Sequence, residues 1–418
     1  MEICALKVRL EKALEKRREI GTYRELNYDA SGSYSDFSSN DYLGFARNEN
    51  LRAFLDAKRS DFGNSATLGS TGSRLLSGNS SLCMRVERNL ARFYRAEAAL
   101  LFNSGYTANL GLLSCLPSMT DWVLYDEYIH ISSYEGIRLS RPFQQHRIKS
   151  FRHNDTTHLE ELLVELQGHP ISNFAIFIVV ESIYSMDGDE APVKELVRLC
   201  RNYRNTYLLI DEAHGVGVYG DTGAGLLEAK SLLNSTESSL MRSLNDILCC
   251  RVYAFGKAMG IHGAVVCGSQ TVIRYLVNYA RPFIYTTSLP PEHLITIQYV
   301  HEFCKQSSDL RDRLRDLVRY FRQQVLAVRE IPSTALMHSL SPIQGLLIAG
   351  NEAVLWAVKQ IKSRGFMVYA IRAPTVRKGE ERIRINIHSH NTKDEIDRLV
   401  KATAFVFAAL TKEPKPKL

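Results

Sequence analysis

The sequence predicts an α/β protein: a large domain on a largely parallel sheet, followed by a smaller α+β domain. Three observations carry this. Between about residues 60 and 290, short apolar runs alternate with longer amphipathic stretches. The runs are continuously apolar rather than alternating, as in strands that helices cover on both faces. Beyond Pro290 and Pro291, which interrupt regular structure, the rhythm becomes helix-rich and then mixed.

The elements follow in order. Residues 3–20 place Ile3, Leu6, Leu10 and Leu14 at helical spacing, with Lys and Arg between them and Gly21 as the stop. This amphipathic helix is expected to pack on the body of the protein or on a partner subunit. The strand-like runs are 99–102, 122–125, 174–180, 207–210 and 264–267. A helical stretch reaches about residue 330. Then come strand-like 345–349, a helix over 351–364 capped by Asn351 and stopped by Gly365, strand-like 366–370 and 382–387, and a final helix. The expected division is 1–45 as N-terminal helix and arm, 46–291 as the large domain, 292–410 as the small domain and 411–418 as a disordered tail.

The 418 residues have an ordinary globular composition. Lys+Arg 52 minus Asp+Glu 45 gives +7. That balance is too weak and too evenly spread for a nucleic-acid partner, and it suits an anionic substrate. The longest clean apolar run, Phe174–Val180, is strand-sized, so no membrane partner is expected. Met1-Glu-Ile-Cys-Ala-Leu-Lys7 lacks the basic and apolar regions of a secretory signal. The eight cysteines form no CxxC pair, which predicts free thiols, a cytoplasmic location and no metal site.

Two motifs mislead. Gly215-Val-Gly-Val-Tyr-Gly220 matches G-x-G-x-x-G, but Asp211-Glu-Ala-His214 separates it from the preceding strand and more glycines follow it, so it reads as a loop. Asp211-Glu-Ala-His214 also spells a helicase box, yet the phosphate loop that function needs is missing.

A set of separated residues makes better chemical sense. Asp211 follows the run 207–210, at the carboxyl edge where α/β sheets bind ligands, and a carboxylate there can keep a ring nitrogen protonated. Lys257 lies among small residues in Ala254-Phe-Gly-Lys-Ala-Met-Gly260. Partial desolvation would lower its pKa and favour Schiff-base chemistry. Ser104-Gly-Tyr106 follows a strand and opens a helix, a suitable phosphate seat. His130, after the run 122–125, can stack on a ring.

Taken together, the sequence resembles the α-oxoamine synthase family of pyridoxal 5'-phosphate enzymes, of fold type I. The carriers span nearly the whole chain: Phe37-Ser-Ser-Asn-Asp-Tyr-Leu-Gly44, the run 69–80, Asn103–Asn109, Phe151–Asp155, Tyr184–Asp189, Asp211–Gly215, Phe255–Ala258, Phe283–Pro291 and Arg382-Ile-Arg384. The resemblance implies a mostly parallel seven-stranded sheet and a homodimer with shared active sites. It implies Lys257 as the lysine that holds the cofactor covalently and Asp211 as partner of its ring nitrogen. His214 and Ser185 would contact the phenolic oxygen, His130 would stack on the ring, and Gly105 and Tyr106 would receive the phosphate. Thr286 and Thr287 would reach the neighbouring subunit's phosphate. Arg24, Asn40, Thr375 and Arg384 fall where the family binds substrate, and a guanidinium fork suits carboxylates.

The implied reaction joins an amino acid to an acyl thioester, carried on coenzyme A or a carrier protein, with loss of CO₂. The segments 281–291 and 382–390 are most similar to members that condense L-alanine with a pimeloyl thioester in biotin synthesis. Members using glycine or L-serine remain alternatives. A non-catalytic homologue is disfavoured by the intact Lys257, Asp211 and His130. Three departures stand out. Ala254 replaces a phosphate-contacting Thr or Ser, at a cost of roughly 1.5–3 kcal/mol unless Thr287 or water compensates. Cys83 stands where histidine is frequent, and Arg377 where proline is.

Overall fold

The computed structural model describes residues 5–26, 34–59, 67–168, 174–234 and 244–412. Its strands are β1 (Ser35–Asp36), β2 (Ala98–Phe102), β3 (Trp122–Asp126), β4 (Ile148–Phe151), β5 (Ile176–Glu181), β6 (Thr206–Asp211), β7 (Leu248–Ala254), β8 (Ala264–Gly268), β9 (Ile343–Leu347), β10 (Phe366–Met367), β11 (Tyr369–Ile371) and β12 (Arg382–Asn386). Seven of them form one sheet in the order β2-β8-β7-β6-β5-β3-β4. β8 is antiparallel to both of its neighbours, β2 and β7, and the other pairs in this sheet are parallel. The sheet is therefore the mostly parallel one expected.

The continuous apolarity of the strands has a direct cause. In β5, Ile176, Ile178 and Val180 face one core, while Phe177 and Val179 face another on the opposite side. Successive side chains of a strand alternate faces, so a sheet covered on both sides has no polar positions to spare. β4 and β7 did not stand out in the sequence. β4 is a short edge strand containing Lys149 and Ser150. β7 carries buried Arg251, whose guanidinium donates to the carbonyls of Tyr94 and Arg95.

A second, antiparallel sheet, β11-β12-β9, lies in the C-terminal part. The expected strand 366–370 is broken into β10 and β11, and β10 pairs in parallel with β1. Asn351 is not the cap of its helix. Gly350 takes that place, and the Asn351 amide instead exchanges hydrogen bonds with the backbone of Ala373. Gly365 ends this helical region at φ 89°, a conformation that favours glycine. Pro291 begins the helix Pro291–Gln306 rather than breaking one, because a first-turn residue needs no N–H partner.

The segment 35–46 is clasped by the C-terminal strand. The Asn386 side chain donates to the carbonyls of Ser38 and Ser39, its backbone N–H donates to Phe37, and the Ser389 hydroxyl donates to Leu43. The N-terminal helix covers Ala5–Glu19, with residues 1–4 outside the described part. None of its residues is buried, so it does not pack on the body of its own chain among the described residues. The final helix runs to Lys412 and takes in Thr411, and the rest of the expected tail lies outside the described residues.

Candidate active site

The parallel strands end at one edge, and their last residues bring charge together. β5 ends at Glu181 and β6 at Asp211, which are register partners. β7 ends at Ala254, three residues before Lys257. At this edge a cleft of about 230 Å³ is lined by residues that include Ser104, Gly105, Tyr106, Asn109, His130, Asp211 and Lys257. Residues scattered over more than 150 positions thus meet because they lie at, or shortly beyond, the C-terminal ends of strands of the same sheet.

Asp211 is held from two sides. One oxygen accepts from the Asn109 amide at 2.7 Å and the other from the Ala213 backbone N–H at 2.8 Å. Asn109 also donates to Ser132 at 3.0 Å. Ser132 in turn fixes His130: its backbone N–H donates to Nδ1 of the ring at 3.2 Å. A neutral His130 therefore carries its proton on Nε2. Burial and the charge of Lys257 pull its pKa down against the raising effect of Asp211. The Lys257 amine is also lowered, first by burial and then by Arg384, while Asp211 and Glu181 oppose the shift. A larger fraction of it is therefore neutral and nucleophilic near pH 7 than for a free lysine.

The phosphate-type seat is built from backbone. Ser104 caps the helix Gly105–Cys115 in a reciprocal capping box with Thr107. The N–H groups of Gly105 and Tyr106, in the first turn, have no partner within the helix. Glycine at 105 is required by close approach, since a Cβ there would lie 2.7 Å from that of Ala254.

On another side, Arg384 donates through Nε to the carbonyl of Ser185 at 3.0 Å and through Nη2 to Asn40 at 3.2 Å. The Tyr42 hydroxyl lies 3.1 Å from the same Asn40 oxygen and 2.7 Å from Nδ1 of His214. Burial, followed by the charges of Lys257, Arg384 and His130, keeps His214 neutral. Burial lifts the Tyr42 hydroxyl to about 12, so it stays protonated.

Three groups of expected site residues lie apart from this cleft. Arg24 is exposed beyond the N-terminal helix. Thr375 is exposed in a loop, its N–H bonded to the carbonyl of Arg372 at 2.8 Å. Thr286 and Thr287 follow the short helix Arg281–Ile284, and the Thr287 carbonyl accepts from Asn103 at 3.1 Å. Conversely, Glu181, Asn109, Ser132, Tyr42 and His262 belong to the site or its supports and were not singled out by sequence. Glu181 was legible in principle, since it closes the apolar run 174–180 just as Asp211 closes the run 207–210. It is 3% exposed with one carboxylate oxygen unpartnered, and burial followed by the charge of Asp211 raises its pKa far above the usual range.

Of the sequence departures, Ala254 borders the cleft, Cys83 is buried in the helix Ser81–Phe93, and Arg377 forms an ion pair with Glu127 at 2.6 Å. His153, Asp187 and Asp189 gather ligand-type atoms within 4.8 Å of one another. Both ring nitrogens of His153 already face Asp126 and Asp189, and Asp187 pairs with Arg382. The cluster is a closed ion-pair network.

An anionic aromatic aldehyde fits the cleft well. The set offers an amine of lowered pKa, a carboxylate for a ring nitrogen, an imidazole, and free N–H donors for a phosphate. The comparisons agree. A family model described as aminotransferase class I and II matches residues 33–402. Relatives from Neisseria meningitidis and Haemophilus influenzae, both under the provisional name 8-amino-7-oxononanoate synthase, are each 39% identical over 362 residues, 86% of this chain and 88% of theirs. Among solved structures, serine palmitoyltransferase from S. paucimobilis, bound to a pyridoxal phosphate–myriocin adduct, superposes with TM-score 0.81 at 24% identity over 98% of this chain and all of that one. An 8-amino-7-oxononanoate synthase from Francisella tularensis gives 0.70 at 26%, over 89% and 97%. The chain belongs to the class I and II aminotransferase family and, within it, to the α-oxoamine synthases, fold type I enzymes whose cofactor is pyridoxal 5'-phosphate.

Proposed function

We propose that the protein condenses L-alanine with a pimeloyl thioester, giving 8-amino-7-oxononanoate, CO₂ and the free thiol in biotin synthesis. The observation that carries this reading is the 39% identity, over 86% of the chain, to relatives provisionally named for that reaction. The acyl group would ride on coenzyme A or a carrier protein. Both are anionic, which suits a chain of net charge +7.

Lys257 would hold the cofactor, with Asp211 serving its ring nitrogen, His214 and Ser185 its phenolic oxygen, and the N–H groups of Gly105 and Tyr106 its phosphate. When bound, the cofactor supplies an electron sink for the negative charge left at the substrate's α-carbon. Arg384 orients the amino acid through its carboxylate, helped by Asn40. Once free, the neutral amine of Lys257 takes the α-proton and later returns one. His130, which would stack on the ring, would present its Nε2–H to the oxygen that gains charge as the thioester is attacked. Arg24 and Thr375 serve the far end of the acyl chain and the amino acid.

We infer a cytoplasmic homodimer with shared sites. Thr286 and Thr287 do not line their own chain's cleft, which agrees with service to a neighbour. The unburied N-terminal helix, with Leu6, Leu10 and Leu14 exposed, agrees with a partner surface.

The deciding experiment offers L-alanine, glycine or L-serine with pimeloyl-, acetyl- or palmitoyl-coenzyme A, and reads product mass and CO₂ release. L-Alanine with the pimeloyl thioester is expected to turn over fastest. Faster turnover of glycine with acetyl-coenzyme A would overturn the assignment.

A further inference from the structure

His262 lines the same cleft as Gly105, Tyr106, Ala254 and Lys257. It sits on the connection between β7 and β8, where Ala254 pairs with Ala264 and the Phe255 N–H donates to Gly263 at 2.9 Å. Its backbone is anchored, because the His262 carbonyl accepts from Nε2 of His293 at 2.6 Å. Its ring is not otherwise engaged among the described residues. The nearest ring contact is the His293 imidazole at 6.1 Å between centroids, and no hydrogen bond reaches either ring nitrogen among the described residues. The side chain is exposed to the cleft while its backbone is fixed.

Ala254 supplies the complementary observation. Its Cβ lies against the first turn of the helix Gly105–Cys115, since a Cβ added at residue 105 would come within 2.7 Å of it. A hydroxyl on that carbon would stand beside the two unpartnered N–H groups, and alanine offers none. The anion seat therefore has backbone donors and no side-chain donor at this corner. The imidazole of His262 is an uncommitted side-chain donor on the same hairpin.

We propose that His262 binds the phosphate of pyridoxal 5'-phosphate and takes over the contact that Ala254 cannot make. This rests on the phosphate being seated at Gly105 and Tyr106. It names a cofactor-binding residue particular to the Ala254–His262 combination, and it predicts that positions 254 and 262 are energetically exchangeable.

The test compares two ligands that differ only in the phosphate. Protein freed of cofactor is titrated with pyridoxal 5'-phosphate and, separately, with pyridoxal, following the visible band. His262→Ala should weaken pyridoxal 5'-phosphate roughly tenfold to a hundredfold, the loss of one hydrogen bond to a charged group, and leave pyridoxal unchanged. His262→Gln, which keeps a donor, should lose less and covers the case in which alanine does not fold. Adding Ala254→Thr to His262→Ala should restore most of the affinity, while circular dichroism checks the fold. Equal weakening for both ligands would make His262 a packing residue and overturn the proposal, as would no weakening of either. A wild-type protein that forms no borohydride-fixed adduct at Lys257 would instead overturn the cofactor site itself.

Discussion

Glu181 and Asp211 are register partners at the ends of adjacent parallel strands, so two carboxylates enter one cleft side by side. Like charges so placed do not both ionise cheaply. Asp211 has two donors, whereas Glu181 keeps an unpartnered oxygen and a raised pKa. Glu181 therefore carries the proton at neutral pH. Glu181→Gln, which copies the protonated form, should leave the pH midpoint of the lysine-bound cofactor band within about half a unit of wild type. Asp211→Asn should lower turnover roughly 100- to 1,000-fold, as expected for losing a buried charge pair with the protonated ring nitrogen of the proposed cofactor. A drop of more than a unit in the Glu181→Gln midpoint would mean that the carboxylate is ionised.

Lys257→Ala should abolish both the visible band and the borohydride-fixed adduct, and with them all turnover. Mass spectrometry of the digested, reduced wild-type protein should find the adduct on the peptide containing residue 257 and on no other lysine.

Arg384 grips Ser185 and Asn40 through a planar fork. Lysine cannot reproduce that geometry. Arg384→Lys should raise KM for the amino acid roughly tenfold to a hundredfold, the worth of one charge-assisted hydrogen bond. The KM for the acyl thioester should barely move. Steady-state kinetics with each substrate varied in turn will check this, and an equal rise in both constants would count against a carboxylate role.

His301 is fully buried between the Tyr94 hydroxyl, 2.8 Å from Nε2, and the Ile297 carbonyl, 2.7 Å from Nδ1. Burial lowers its pKa to about 4. Between that value and the unfolded one, near 6.5, the unfolded chain binds a proton that the folded chain refuses. Stability is thus fully present above about pH 6.5 and falls towards pH 4, by about 3 kcal/mol from this group. Denaturant unfolding at pH 7 and pH 4.5 should show a shallower loss for His301→Gln than for wild type.

What could be read from the chain followed from burial. The runs in β2, β3, β5, β6 and β8 are apolar on both faces, and no polar residue interrupts them. β7 escaped notice because Arg251 breaks its pattern, and that arginine is tolerated only where two carbonyls from the Tyr94 turn meet it. Asp211, Lys257 and His130 were legible because each follows a strand at a place where a sheet exposes its edge. Glu181 looked like the polar end of a strand. His262 looked like any loop histidine until the hairpin placed it opposite the helix Gly105–Cys115. Arg24, Thr286 and Thr287 do not line the cleft of their own chain, and no strand end carries them to it.

The clasp between Asn386 and the carbonyls of Ser38 and Ser39 joins the two ends of the chain at one wall of the cleft. Arg384, Asn40 and Tyr42 are consequently a single jaw, although more than 340 positions separate the arginine from the other two. A lesion at Asn386, which touches no substrate, would be felt as a slackened grip on the carboxylate, and an inhibitor that wedged the N-terminal strap open would disarm the arginine without ever meeting it.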